Sequence, residues 1–161
     1  MLKLLNNKLN FVNRIDVPKI PLNAYEDFQD FKLYFVDIGL MVAKAALDPS
    51  VILEGNDLFT EFKGTLTEQY VLQQLKSIGK TVYYWAREDT KAEVDFLIQH
   101  REEVCAIEVK AATNVKSKSL KIYFQKYAPK QVYRSSLQDF TKQDWLTNLP
   151  LYTIEQIVHL I

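Results

Sequence analysis

Two short apolar stretches, AEVDFL (residues 92–97) and AIEVK (residues 106–110), carry charges where a core strand would continue with Val or Ile. Side chains alternate across a strand, so Glu93 and Asp95 share one face, and Glu108 and Lys110 share one face of the next strand. If the two strands pair as a hairpin with Asp95 opposite or near Glu108, all four groups project to one side, and Val94, Phe96, Ile107 and Val109 take the other. A half-exposed antiparallel strand with salt-bridging charges on its wet face has the same pattern. What favours chemistry is Glu68, a third acid on an otherwise amphipathic stretch just upstream. Carboxylates about 5 Å apart repel by roughly 3 kcal/mol per pair at an effective dielectric near 20. Three of them with one Lys stay about two charges short of neutral, a deficit that an oxygen-preferring divalent cation, Mg²⁺ or Mn²⁺, fits.

Elements that would position these groups are readable around them. FTEFKGTLTEQYVLQQLKSIG is a helix whose apolar stripe is Phe62, Leu66, Tyr70, Val71 and Leu75, with Glu68 inside it and Gly79 where a C-terminal cap belongs. TVYYWAR follows as a β-rich strand, then the turn REDTKA and the two charged strands. SKSLKIYFQKYAP is a second helix, with Ser117 or Ser119 as N-cap and Pro129 as the stop, and KQVYRSS is a further strand. A helix, three neighbouring strands, a crossover helix and a fourth strand predict an α/β fold: a mixed sheet flanked by helices, since a crossover normally returns the chain parallel to the strand it left.

Residues 1–30 form an N-terminal extension ahead of the domain proper, residues 31–161. In it LKLLNNKLN has helical spacing, FVNRIDV reads as a strand, and VPKIPLNAYED is an extended, Pro-punctuated connector. FKLYFVDIGLMVAKAAL then begins as a strand or helix entry and continues helically until Asp48-Pro49; IEQIVHLI, a short helix or strand, ends the chain.

The 161 residues suffice for one domain with a real core. The composition is that of a globular protein without low-complexity bias, and no internal repeat is present. No apolar run has the roughly 18 residues of a membrane span, and MLKLLNNKLN is too short and polar for a secretory leader, so a cytoplasmic protein is expected. The single cysteine, Cys105, excludes an internal disulfide and reads as a buried, inert thiol. Net charge is zero, but its distribution is uneven. From Val109 to Arg134 there are seven Lys or Arg and no acid, whereas Asp48 to Leu75 carries five acids against one Lys. That is either a solvated surface or a phosphate-facing one beside an acidic pocket. His100 and His159 lack the spacing and Cys partners of a zinc site, and no G-x-S-x-G motif supports a serine hydrolase.

Glu68 on a helix, Asp95 in EVDF, and Glu108 and Lys110 in IEVK resemble the helical Glu, Asp and E-x-K signature of the PD-(D/E)XK, restriction-endonuclease-like superfamily. In order, FKLYFVDIGL, GTLTEQYVLQQL, YYWARE, AEVDFLI, IEVKA and SLKIYF look like the C-terminal domain of unknown function of prokaryotic AAA-type ATPases, a likeness covering the chain from about Pro21 onward. The resemblance implies an αβββαβ core, matching the order read above. It also implies an ATPase partner module and an upstream winged-helix segment, of which LKLLNNKLNFVNRIDV is the expected remnant. None of the four Gly residues begins a G-x-x-x-x-G-K-[ST] phosphate loop, so ATP binding by this chain in the family's manner is not expected.

Read as an enzyme, the chain is a metal-dependent nuclease. Asp95 and Glu108 ligate Mg²⁺ or Mn²⁺, Val109 adds its carbonyl, Glu68 contributes directly or through water, and Lys110 orients the nucleophile and offsets transition-state charge. Lys116, Lys118 and Lys121 hold the phosphate backbone of a nucleic acid, DNA in the first instance, without reading bases. Glu93 is either a further ligand or a partner for Lys110 or Arg87. Tyr83, Tyr84 and Trp85 are core residues rather than a stacking platform for bases. The rival reading is a non-catalytic module that docks an ATPase onto nucleic acid or a partner protein.

Overall fold

The computed structural model describes residues 8–46, 57–87, 89–112 and 116–160, the side chains of 57–61 excepted. In chain order the elements are β1 (Leu9–Ile15), a 3₁₀ turn (Leu22–Tyr25), β2 (Glu26–Phe35), α1 (Ile38–Lys44), α2 (Asp57–Ser77), β3 (Val82–Arg87), β4 (Ala92–His100) and β5 (Glu103–Lys110). Then come α3 (Lys118–Tyr127), β6 (Val132–Ser136), β7 (Thr141–Lys142), β8 (Leu146–Pro150) and a closing 3₁₀ helix (Leu151–His159). The strands form one mixed sheet in the order β2-β1-β3-β4-β5-β6-β8-β7. β3, β4 and β5 are antiparallel neighbours, and α3 returns the chain so that β6 lies parallel to β5, as the sequence predicts.

Apolar side chains pack both faces of this sheet. On one, Val71, Leu72 and Leu75 of α2 and Ile154 and Ile157 of the closing helix cover Val82, Tyr84, Phe96, Ile98, Ile107, Val109 and Tyr133. On the other, Leu120 and Tyr123 of α3 cover Tyr83, Trp85, Val94, Leu97, Ala106, Val132 and Leu146. α2 ends in a Schellman arrangement: the Gly79 N–H donates to the Lys76 carbonyl and the Lys80 N–H to the Leu75 carbonyl, with Gly79 at φ +74°. Tyr83, Tyr84 and Trp85 are buried, Trp85 packing edge-on against Tyr123 and Tyr127. Cys105 is buried as expected, and burial pushes its thiol up to about 12.

Three features differ from the sequence reading. First, the expected connector VPKIPLNAYED is not wholly extended: Leu22–Tyr25 is a 3₁₀ turn, and Glu26 already belongs to β2. β2 runs through residue 30, and β1 pairs antiparallel with β2 and parallel with β3, burying Val12 and Ile15. Second, LTNLP is a fully buried strand, β8, lying parallel to β6. Third, Val94 and Phe96 do not share a face. The β3–β4 register passes from Tyr83↔Leu97 to Trp85↔Val94, so Asp95 and Phe96 together oppose the single residue Tyr84. This β-bulge reverses the alternation of β4, sending Ala92 and Val94 toward α3 and Phe96 and Ile98 toward α2. The expectation of four charges on one side and four apolar residues on the other is corrected accordingly. Of LKLLNNKLN, read above with helical spacing, Leu9 and Asn10 instead begin strand β1, while residues 2–7 and the expected stop at Asp48-Pro49 lie outside the described residues.

Candidate functional site

Asp95 occupies the bulge, at the point where the β4–β5 ladder ends. The last paired residues are Phe96 and Ile107; one step further, the backbone N–H of Val109 donates not to a backbone carbonyl of β4 but to Asp95 Oδ2, at 2.7 Å. The carboxylate therefore stands in for a rung of the ladder, at the level of the sheet. Val109, expected to lend its carbonyl, is tied to the site through this N–H.

Glu68 approaches from α2. Its Oε2 accepts a hydrogen bond from the Tyr34 hydroxyl of β2 at 3.1 Å. Burial, then the charge of Glu68, pushes the Asp95 carboxyl up to about 7, against the opposing pull of the Val109 N–H and of the Lys32 and Lys110 ammonium groups. Tyr34 is driven well above the ordinary phenol range, first by burial and then by Glu68, so its hydroxyl stays a donor. Glu93 pairs with neither Lys110 nor Arg87. It bonds Lys32 of β2, whose ammonium also lies 5.0 Å from the Tyr84 ring centre, while Arg87 bonds Asp89.

Glu108 and Lys110 form the second half of the site. Ile107 and Val109 pack toward α2, so by alternation Glu108 and Lys110 leave β5 toward α3. Lys110 Nζ lies 3.1 Å from Glu108 Oε1, and the Glu108 side chain is only 5% exposed. Its other oxygen, Oε2, is buried without a hydrogen bond. Lys110 also acts on Asp95, but Glu108 itself leaves the sheet on the α3 side and is not brought together with Glu68, which approaches from α2. Lys116, Lys118 and Lys121 lie exposed at and just before the start of α3.

All the donors are oxygens, the right kind for Mg²⁺ or Mn²⁺. Among the described residues, no three His, Cys, Asp or Glu are grouped closely enough to hold an ion as they stand. A magnesium site needs fewer: one or two carboxylates, with waters and substrate phosphate completing the shell. Asp95, buried and raised by its neighbour, fits that smaller requirement together with Glu68, whereas the orphaned Oε2 of Glu108 belongs to a side chain that leaves β5 on the opposite side, toward α3.

Tyr34, Lys32 and Arg134 escaped the sequence reading. Tyr34 and Lys32 belong to a strand more than 30 residues before Glu68, with nothing local to announce the contact. Arg134 left a signal, a charge inside VYRSS, a strand buried at all five positions.

The site thus sits on an α/β domain with a mixed sheet flanked by helices. Residues 63–154 match a family described as a domain of unknown function, DUF4143, and the chain belongs to that family. No curated protein and no solved structure matches the chain significantly. No helix among the described residues is long and apolar enough to cross a membrane.

Proposed function

We propose that the domain is a PD-(D/E)XK-like, Mg²⁺- or Mn²⁺-dependent phosphodiesterase acting on nucleic acid, DNA in the first instance, and working beside an AAA-type ATPase module. The observation that carries this reading is the Asp95 carboxyl, set in place of a ladder rung and raised to about 7 beside Glu68. A fold gains nothing in stability from setting a buried carboxylate in a bulge beside a second acid, and a strongly shifted group of this kind belongs to the class that clusters at functional sites. When bound, the cation would lower the pKa of a water and shield the scissile phosphate.

Asp95 and Glu68 would hold that cation, and the Val109 N–H fixes Asp95 in orientation. Tyr34 fixes Glu68 in the same way. Lys110, one-third exposed and paired with Glu108, swings between Glu108 and the phosphate, where it offsets charge as the phosphorus becomes five-coordinate. Lys116, Lys118 and Lys121 track the backbone of the substrate. A second reading, a non-catalytic module that docks an ATPase onto nucleic acid or a protein, is favoured by one observation: Glu108 is already neutralised by Lys110.

Mn²⁺ titration followed by electron paramagnetic resonance, together with cleavage of labelled single- and double-stranded DNA and RNA, separates the two. Asp95→Ala abolishes both binding and cleavage in the enzyme reading, whereas Lys110→Ala spares metal binding and removes most of the rate. Identical titrations for wild type and Asp95→Ala, with no cleavage of any substrate, leave the docking module.

A further inference from the structure

We infer that Lys32 is a phosphate-binding residue of the Asp95–Glu68 site, held on Glu93 in the free protein and turned onto a phosphate of the nucleic acid when substrate binds. The facing of the strands gives that site its own cation. On β2, Lys32 and Tyr34 are register partners of Val12 and Asn10 of β1; Val12 and Tyr34 pack in the α2 layer, so Lys32 also leaves the sheet toward α2. Glu93 does the same, since its partner on β3 is Ala86, which packs in that layer, whereas the adjacent Val94 faces α3. Lys110 leaves β5 on the other side, where Glu108 holds it. Both lysines oppose the upward push of burial and of Glu68 on the Asp95 carboxyl, and Lys32 is the one that shares a side of the sheet with Glu68.

The Lys32 ammonium is held without being committed. It bonds Glu93 and lies 5.0 Å from the centre of the Tyr84 ring, and Tyr84 is the residue that Asp95 and Phe96 oppose across the bulge. The Lys32 and Glu93 side chains are 25% and 43% exposed, and an ion pair so open to water is weak enough to be exchanged for a phosphate. The backbone beneath it is fixed. Two residues on, Tyr34 donates to Glu68; the Phe35 N–H and carbonyl both bond the buried Gln69 side chain, at 2.9 and 2.8 Å, and the Ile38 N–H donates to Gln73 Oε1. The end of β2 is thereby fastened to the part of α2 that carries Glu68, although β2 lies wholly before residues 63–154, which the family match covers. Burial first, and then the charges of Glu68, Asp95 and Glu93, keep the Tyr34 hydroxyl protonated, so all three acids act on the side chain next to Lys32 on that face. Acids alone repel a phosphodiester, and a cation on their own side of the sheet offsets that repulsion.

This role rests on the metal-dependent reading above, and two measurements keep their failures apart. Binding of short labelled single-stranded DNA, duplex DNA and single-stranded RNA is followed by fluorescence anisotropy in EDTA, which prevents cleavage, over a range of salt concentrations. Lys32→Met lowers the steepness of log affinity against log salt by about one, the loss of one phosphate contact, and Lys32→Arg keeps it. Glu93→Gln releases the ammonium and tightens binding about threefold, but leaves binding unchanged in the Lys32→Met background. An unchanged steepness in Lys32→Met, an equal gain from Glu93→Gln in both backgrounds, or a wild type that binds none of the three probes overturns the inference. Mn²⁺ uptake is measured alongside by paramagnetic resonance. Lys32→Met keeps or strengthens it, because a cation has been removed from beside the acids. A Lys32→Met that loses Mn²⁺ shows that Lys32 shapes the acids instead of meeting phosphate, and overturns the inference. A wild type that takes up no Mn²⁺ removes the metal-dependent reading, and the salt dependence then still decides the role of Lys32. Where Lys32→Met does not fold, Lys32→Gln takes its place in both measurements.

Discussion

Replacing Asp95 with Asn removes a desolvated charge while keeping an oxygen for the Val109 N–H, and this substitution should stabilise the protein. The carboxyl is raised from its ordinary 3.8 to about 7, a shift of about three units, each worth about 1.36 kcal/mol. Asp95 is only partly buried, so about half of the resulting 4 kcal/mol, roughly 2 kcal/mol, is a sensible expectation, or a rise in Tm of roughly 4–8 °C for a domain of this size. The sign depends on pH in a specific way. The folded state binds the Asp95 proton more tightly than the unfolded state, so wild type is favoured below pH 3.8 and loses that advantage as pH rises toward 7. Asp95→Asn has no such loss. Urea melts of both proteins from pH 4 to pH 8, without divalent metal, should show near-equal stability at pH 4 and a gap that opens to about 2 kcal/mol by pH 8. A gap of constant size, or a less stable Asp95→Asn at pH 8, refutes the reasoning.

Removing the neighbouring like charge in Glu68→Gln should lower the Asp95 midpoint by on the order of one unit, read from its carboxyl carbon by NMR; an unmoved midpoint would show that burial alone sets it. Gly79→Ala should cost about 1 kcal/mol in urea, because a Cβ there meets no neighbouring atom and the whole penalty is the left-handed backbone at φ +74°. Cys105, held up to about 12 inside the sheet, should react with a thiol reagent at pH 8 only as fast as the protein opens, so its rate should rise with urea in step with unfolding.

Much of the framework was written locally. The stripe from Phe62 to Leu75 with its Gly79 stop specifies α2, the dense run VYYWAR specifies β3, and Pro129 bounds α3. These signals lie within one or two turns of chain, where hydrophobic period and cap chemistry act. Elements that depend on distant partners left fainter traces. β8 has only two leucines in LTNLP, and its central Asn148 reads as a loop residue until Arg134, Ser136 and the carbonyls of Gln138 and Asp139 are placed around it. β1 finds its place beside β3 through Arg14 and Tyr84, 70 positions apart, a pairing no periodicity encodes. At the candidate site, the residue types and the strand pair were legible from E-V-D and E-V-K. Their exact facing was not, because the alternation rule assumes an unbroken strand, and β4 is broken at Asp95.

That break can also be described as an insertion. Skip Asp95, and Val94, which faces α3, stands next to Phe96, which faces α2, in the regular alternation that the rest of β4 obeys. The sheet counts every residue of the strand except this one. The alternation of the scaffold thus does not need the residue on which the proposed chemistry depends: a chain lacking Asp95 keeps the facing of both apolar sides, and loses the carboxylate together with its bond to the Val109 N–H.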